Sequence, residues 1–133
     1  MEISNGEFTE LGGQLVLPLF EGCEKPPNNS LSGLSRSQRS LVRDALESGG
    51  FDGKRGNRMA LWTPGCNIIL VGMGAKDSLG HKRSRNTGAR LIASMSKKKG
   101  LDVTVRFTSG WSSTRMLDFA EGMTVSYTHL TLP

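Results

Sequence analysis

"NIILVGMGAKD", residues 67–77, decides how this chain is read. Ile68, Ile69, Leu70 and Val71 form a continuous apolar run without alternation, which is what a strand covered on both faces requires. Gly72 and Gly74 then let the backbone leave the sheet sharply. Just upstream lies "RMALW", residues 58–62, joined to the central run by "TPGC". Its Pro64-Gly65 pair suits a tight turn, so the two runs read as a hairpin.

Further upstream, "GGQLVLPLFEG" (12–22) places Leu15 and Leu17 on one face and Val16 on the other. This is a strand, expected to end at Pro18, which has no N–H to give to a ladder. "CEKPPNNSLSG" (23–33) is a loop by composition. Ser35 and Gln38 form a capping-box signature, and Leu41, Val42, Ala45 and Leu46 make one apolar stripe running to Gly49-Gly50. That predicts an amphipathic helix, followed by the glycine turn "FDGKRGN" (51–57), which Phe51 can anchor.

Downstream, "NTGARLIASM" (86–95) predicts a helix with Gly88, Leu91, Ile92 and Met95 inward and Arg90 and Ser94 outward. Lys97, Lys98 and Lys99 fall at its carbonyl end, where cations complement the dipole, and Gly100 stops it. "LDVTVRF" (101–107) alternates, predicting a strand with one wetter face, near the edge of the sheet. In "TSGWSSTRMLDFAEGM" (108–123), Met116, Leu117 and Ala120 share a helical face, Phe119 lies at its margin, and Gly122 reads as the residue just past the helix end. The order strand, helix, strand, strand, helix, strand, helix gives an α/β fold: a three-layer domain in which helices flank a mixed β-sheet.

At 133 residues and 14.4 kDa the chain holds one core, and 36% hydrophobic content makes that core modest. No stretch approaches the roughly 20 apolar residues of a membrane span, and "MEISNGEFTE" lacks a signal peptide's basic start and apolar run, so the expected compartment is the cytoplasm. Cys23 and Cys66 allow one bridge or two thiols, and neither has a metal-ligand neighbour in sequence. Lys76, Lys82, Arg83, Arg85, Arg90, Lys97, Lys98 and Lys99 stand against Asp77 alone, so residues 76–99 carry +7 of a net +5 and the remainder −2. The 76–99 cluster can attract phosphates, or be the solvated face of a helix or a rim that meets another domain; with no Phe or Tyr among its cations, it argues against a single-strand nucleic-acid platform.

Few residues offer chemistry. The Gly72–Gly80 loop, "GMGAKDSLG", has exposed-looking N–H groups for an anion but is neither GxGxxG nor a P-loop. His81 has no nucleophile or carboxylate placed beside it by sequence, and His129 belongs to no ligand array. Asp52, Asp77, Asp102, Asp118 and Glu121 are scattered, Asp118 with Glu121 reading as polar decoration near a helix end. No serine sits in a GxSxG elbow. Trp62 and Trp111 read as core or interface anchors.

Taken together, "LVLPLFEG", "LESGGFDGKRGN", "NIILVGMGAKD", "TGARLIASM" and "DFAEGMT" resemble the N-terminal domain of the leucyl aminopeptidase family, the two-metal cytosol aminopeptidases, over about residues 12–124. Phe51, Gly53, Lys54 and Gly56 match its turn, Val71, Gly72 and Gly74 its strand end, and Ala120, Glu121 and Gly122 its late helix. The resemblance implies a macro-domain-like fold and a role beside a larger C-terminal domain. In that domain Lys, Asp and Glu ligands hold two divalent metals (zinc, manganese or magnesium) for peptide hydrolysis in a homo-hexamer. It places no catalytic, cofactor-binding or metal residue in this chain, which is expected to be inactive alone. Residues 1–124 are then the domain and 125–133 a truncated or foreign tail. The alternative is a free-standing macro-like module that takes a nucleotide or ADP-ribose-like anion at Gly72–Gly80.

Overall fold

The computed structural model describes residues 2–4, 14–22, 34–48, 50–63, 66–76, 80–94, 102–107 and 111–131. In chain order these form β1 (Glu2–Ser4), β2 (Gln14–Leu19), α1 (Arg36–Glu47), β3 (Arg58–Thr63), β4 (Cys66–Gly72), α2 (His81–Ser94), β5 (Asp102–Val105) and α3 (Ser113–Thr131). The sheet order is β1-β5-β2-β4-β3, all parallel except the β3–β4 hairpin. The hairpin register pairs Thr63 with Cys66, and the connecting Pro64-Gly65 pair lies outside the described residues.

β4 carries the architecture because both of its faces are covered. Ile68 and Leu70 join Leu15, Leu17 and Leu19 of β2 beneath Val42, Ala45 and Leu46 of α1. Val71, with Val16, Val103 and Val105, faces Leu91 and Ile92 of α2 and Phe119 and Met123 of α3 on the opposite side. The result is the three-layer α/β fold the element order implies.

α1 is set by its capping box: the Gln38 N–H donates to Ser35 Oγ (3.2 Å) and Ser35 N–H to Gln38 Oε1 (2.9 Å). Gln38 is buried and its Nε2 donates to Thr63 Oγ1 (3.0 Å), fixing α1 to β3. Gln38 therefore takes the inward place assigned by sequence to Leu41, which is 42% exposed.

Five other expectations need correction. β2 continues one residue past Pro18, because Val16 accepts from Arg106 N–H and alternation points Pro18 toward the same side, where β5 has already ended at Val105. β5 is interior, since β1 pairs with its outer side; Arg106 is buried. α2 begins at His81, five residues before the apolar stripe starts, so the basic segment 81–85 is its first turn and a half. In α3 Phe119 and Met123 are fully buried while Leu117 is 69% exposed, which rotates the inward face from the one expected. α3 also passes through Gly122 without ending, and Gly122 has no left-handed φ.

Gly122 serves a close approach instead. A Cβ there would fall well inside 3 Å of the Arg85 carbonyl of α2, and a Cβ on Gly88 would do the same to the Phe119 carbonyl of α3. The two helices thus cross backbone to backbone at two reciprocal glycines. Among the described residues no helix is long and apolar enough to cross a membrane.

Candidate functional site

The turn at 51–57 and the end of β4 are laced into one unit. Phe51 is buried under α1, and Gly53 and Gly56 adopt positive φ (77° and 90°), as a glycine turn requires. Asp52 Oδ1 accepts from Lys54 N–H (3.0 Å) and Asn57 Nδ2 (2.7 Å). These two bonds, the Lys54 N–H foremost, hold the Asp52 carboxyl below the usual carboxylate range. Gly72 N–H donates to Asn57 O (2.8 Å), Met73 N–H to Leu19 O (2.9 Å) and Gly74 N–H to Gly53 O (2.9 Å).

Those bonds correct the reading of the glycine loop. The N–H groups at 72, 73 and 74 are engaged by carbonyls of the chain itself, so they do not form an anion cradle. Residues 77–79 of the loop lie outside the described residues. What the strand end does border is a cavity of about 140 Å³ between this turn and the outer face of α2. Its polar wall is Arg55, Asn57, Arg58, Thr87 and Arg90; its apolar floor is Val71 and Leu91.

A second cluster lies where α2 begins against α3. His81 Nδ1 is 2.6 Å from Asp118 Oδ1, and Arg115 Nη1 donates to Asp118 Oδ2 (2.9 Å). Asp118 is 5% exposed. Burial raises its pKa, but the hydrogen bonds and charges of Arg115 and His81 outweigh that and leave it lowered. Ser84, fully buried, donates its hydroxyl to Arg115 O (2.8 Å), and Arg85 pairs with Glu121. Asp118 is a buried clamp between helices, not decoration. Sequence spacing gave no hint of the clamp, because its partner on α2, His81, lies 37 residues away.

The aromatic assignments divide. Trp111 is buried and packs edge-on against Phe107 (4.8 Å) and Phe119 (5.8 Å), whereas Trp62, on edge strand β3, is 76% exposed. Cys23, Asp77 and Lys97–Lys99 lie outside the described residues, as do the side chains of Cys66, Asp102 and His129. Among the described residues no three of His, Cys, Asp and Glu come together as a metal site. The resemblance assigns its two divalent ions to a C-terminal domain, and no step of metal chemistry is assigned to the described residues.

The profile of the cytosol aminopeptidase family's N-terminal domain matches residues 16–127. The chain belongs to this family. Among solved structures it is similar to a mutant of tomato leucine aminopeptidase, with a TM-score of 0.69 and 20% identity. That likeness covers 100% of this chain and 28% of the tomato chain. Comparison with curated protein sequences finds no match. At such identity the structural likeness speaks for the fold alone, and it agrees with the mixed sheet and flanking helices described above.

Proposed function

We propose that this chain is the non-catalytic N-terminal domain of a metallo-aminopeptidase. In the whole protein a C-terminal domain would hold two divalent ions, zinc, manganese or magnesium, and release N-terminal residues from peptides. The domain described here would pack beside it in a cytoplasmic homo-hexamer, in an assembly or regulatory role. One observation carries the reading: a family N-terminal domain profile spans residues 16–127, and the whole chain corresponds to 28% of a leucine aminopeptidase's length. The division at residue 124, with 125–133 as a foreign tail, belongs to the same proposal.

The test has two arms. The chain is assayed against leucine p-nitroanilide with added Mn²⁺, and the coding sequence is read beyond the codon for Thr124. No turnover, with a downstream reading frame rich in Lys, Asp and Glu, is the expected result. Turnover by the 133-residue chain itself refutes the proposal.

A further inference from the structure

The sheet leaves β3 open on one side. β3 closes the order β1-β5-β2-β4-β3, and among the described residues no strand pairs with its outer edge. Its ladder to β4 runs unbroken from Arg58 to Thr63. Which backbone groups face outward follows from one bond. Gly72 N–H donates to Asn57 O, so the hydrogen-bonded pairs with β4 fall at Asn57, Met59, Leu61 and Thr63, and the N–H and C=O groups of Arg58, Ala60 and Trp62 point to the open edge. The side chains of these three residues are exposed, Trp62 at 76%. Edge strands ordinarily block pairing with a lysine, a proline, a bulge or sheer shortness. β1, at the opposite edge, is only three residues long. "RMALWT" has no such device.

We infer that β3 pairs antiparallel with β3 of a second copy of this chain, the two-fold axis passing through Ala60. A second copy is the fitting occupant because this register is self-complementary. Centred on Ala60, the outward-facing residues meet only one another, Ala60 opposite Ala60 and Arg58 opposite Trp62 on either side, which makes about six backbone hydrogen bonds. Arg58, the strand's single charge, faces the indole of the other copy and not its own counterpart, so like charges are not opposed. Stacking there uses the flat face of the guanidinium and does not compete for its edge N–H donors. On the opposite face Met59 meets Leu61; both are half-buried against the α1 side of the core, so their open sides extend it across the axis. Six residues at about 3.4 Å make a strip roughly 20 Å long. Even with both indoles added, that contact falls below the roughly 1,200 Å² of a standard interface, so the dimer is weak and concentration-dependent. The net charge of +5 on each copy opposes it at low salt. This inference is independent of the aminopeptidase reading.

The experiment is sedimentation velocity of the 133-residue chain between about 10 µM and 1 mM, the range of a weak association. The sedimentation coefficient should rise from monomer toward dimer across that range, and added NaCl, which screens the net charge, should leave the dimer intact or strengthen it. Ala60→Lys sets two ammonium groups face to face at the axis and should weaken association by about tenfold or more. Ala60→Pro removes the outward N–H while sparing the ladder to β4 and should do the same, with the far-UV circular dichroism of the parent kept. Leu117→Lys, at an exposed apolar position on α3, should change nothing. Register is read separately by oxidation. Two copies of the Ala60→Cys chain bring their new thiols within disulfide reach, about 5.5 Å between Cα atoms. Those of Arg58→Cys or Trp62→Cys lie about 14 Å apart and should not link. Peptide mapping separates these bridges from any through Cys23 or Cys66. A chain that stays monomeric at the highest concentration, a dimer dispersed by salt, loss of association in Leu117→Lys, or cross-linking at position 58 as ready as at 60 would each overturn the inference.

Discussion

Replacing Gly122 with Ala tests the helix crossing on which the α2–α3 layer rests. The new methyl would fall well inside 3 Å of the Arg85 carbonyl, an atom that cannot swing away as a side chain end would. Ordinary contact requires the helices to part by roughly 1 Å, and a gap of that order forfeits about a quarter to a half of the dispersion energy of each contact it opens. Overpacking of this kind costs about 1–3 kcal/mol, toward the upper end when backbone is struck. Alanine returns about 1 kcal/mol through its higher helix propensity. The net is a loss of about 2 kcal/mol, or a fall in Tm of roughly 5–8 °C for a domain of this size. Gly88→Ala meets the Phe119 carbonyl across the same crossing and should behave alike. The double variant is the decisive one: once the helices have parted for one methyl the second fits more easily, so the combined loss is smaller than the sum. Gly80→Ala, with no atom within 4 Å of the added Cβ, should leave Tm unchanged or raise it. Differential scanning calorimetry reads all four. A Gly122→Ala protein as stable as the parent, or fully additive losses, would refute the close-crossing account.

Four further outcomes follow from burial and charge. Leu17→Ala, at a fully buried site, should cost about 2–5 kcal/mol in urea unfolding, whereas Leu117→Ala should stay within about 0.5 kcal/mol; equal losses would put the inward face of α3 where the apolar spacing had it. Acrylamide should quench Trp62 and spare Trp111, so Trp62→Phe removes nearly all quenchable emission. Asp118→Asn should lower Tm at pH 7. Because the carboxyl's folded pKa lies below its unfolded value of about 3.9, its contribution is complete above that pH and lost as pH falls through the folded value, so the gap between parent and variant closes below about pH 4. Truncation after Thr124 should leave Tm unchanged if the proposed tail is foreign; a lowered Tm refutes that division.

The sheet was largely legible because burial writes itself into apolar periodicity. A doubly covered β4, the β3–β4 hairpin and a capped α1 each follow from local rules that the surrounding structure does not override. The misreadings gather at α2 and α3, and they share a cause. Besides their apolar contacts, those helices meet through two glycines, a buried aspartate held by His81 and the Arg85–Glu121 ion pair, none of which contributes to a hydrophobic stripe. An apolar count therefore turned α3 toward Leu117 and away from Phe119. Gly122 sits where a helix-ending glycine would sit in sequence, yet it is selected by steric contact with a chain segment 37 positions earlier. β1 was not legible because three residues carry too little pattern to be recognised without the β5 partner.

Charge obeys the same logic at the cavity. Along the sequence the cations at 76–99 form one block, which suggests one electropositive rim. In the fold, helical rotation splits that block. Arg85 turns to Glu121 of α3, while Arg90 turns the other way toward the glycine turn. There it lines the same cavity as Arg55 and Arg58, which lie outside the block. A helix advances about 100° per residue, so five residues carry a side chain roughly 140° around the axis, enough to place neighbours in the basic run on opposite sides of α2. Where the cations of the block come to lie is thus set by which elements the sheet brings together. It is a property of β4's position between β2 and β3, which seats the 51–57 turn against α2.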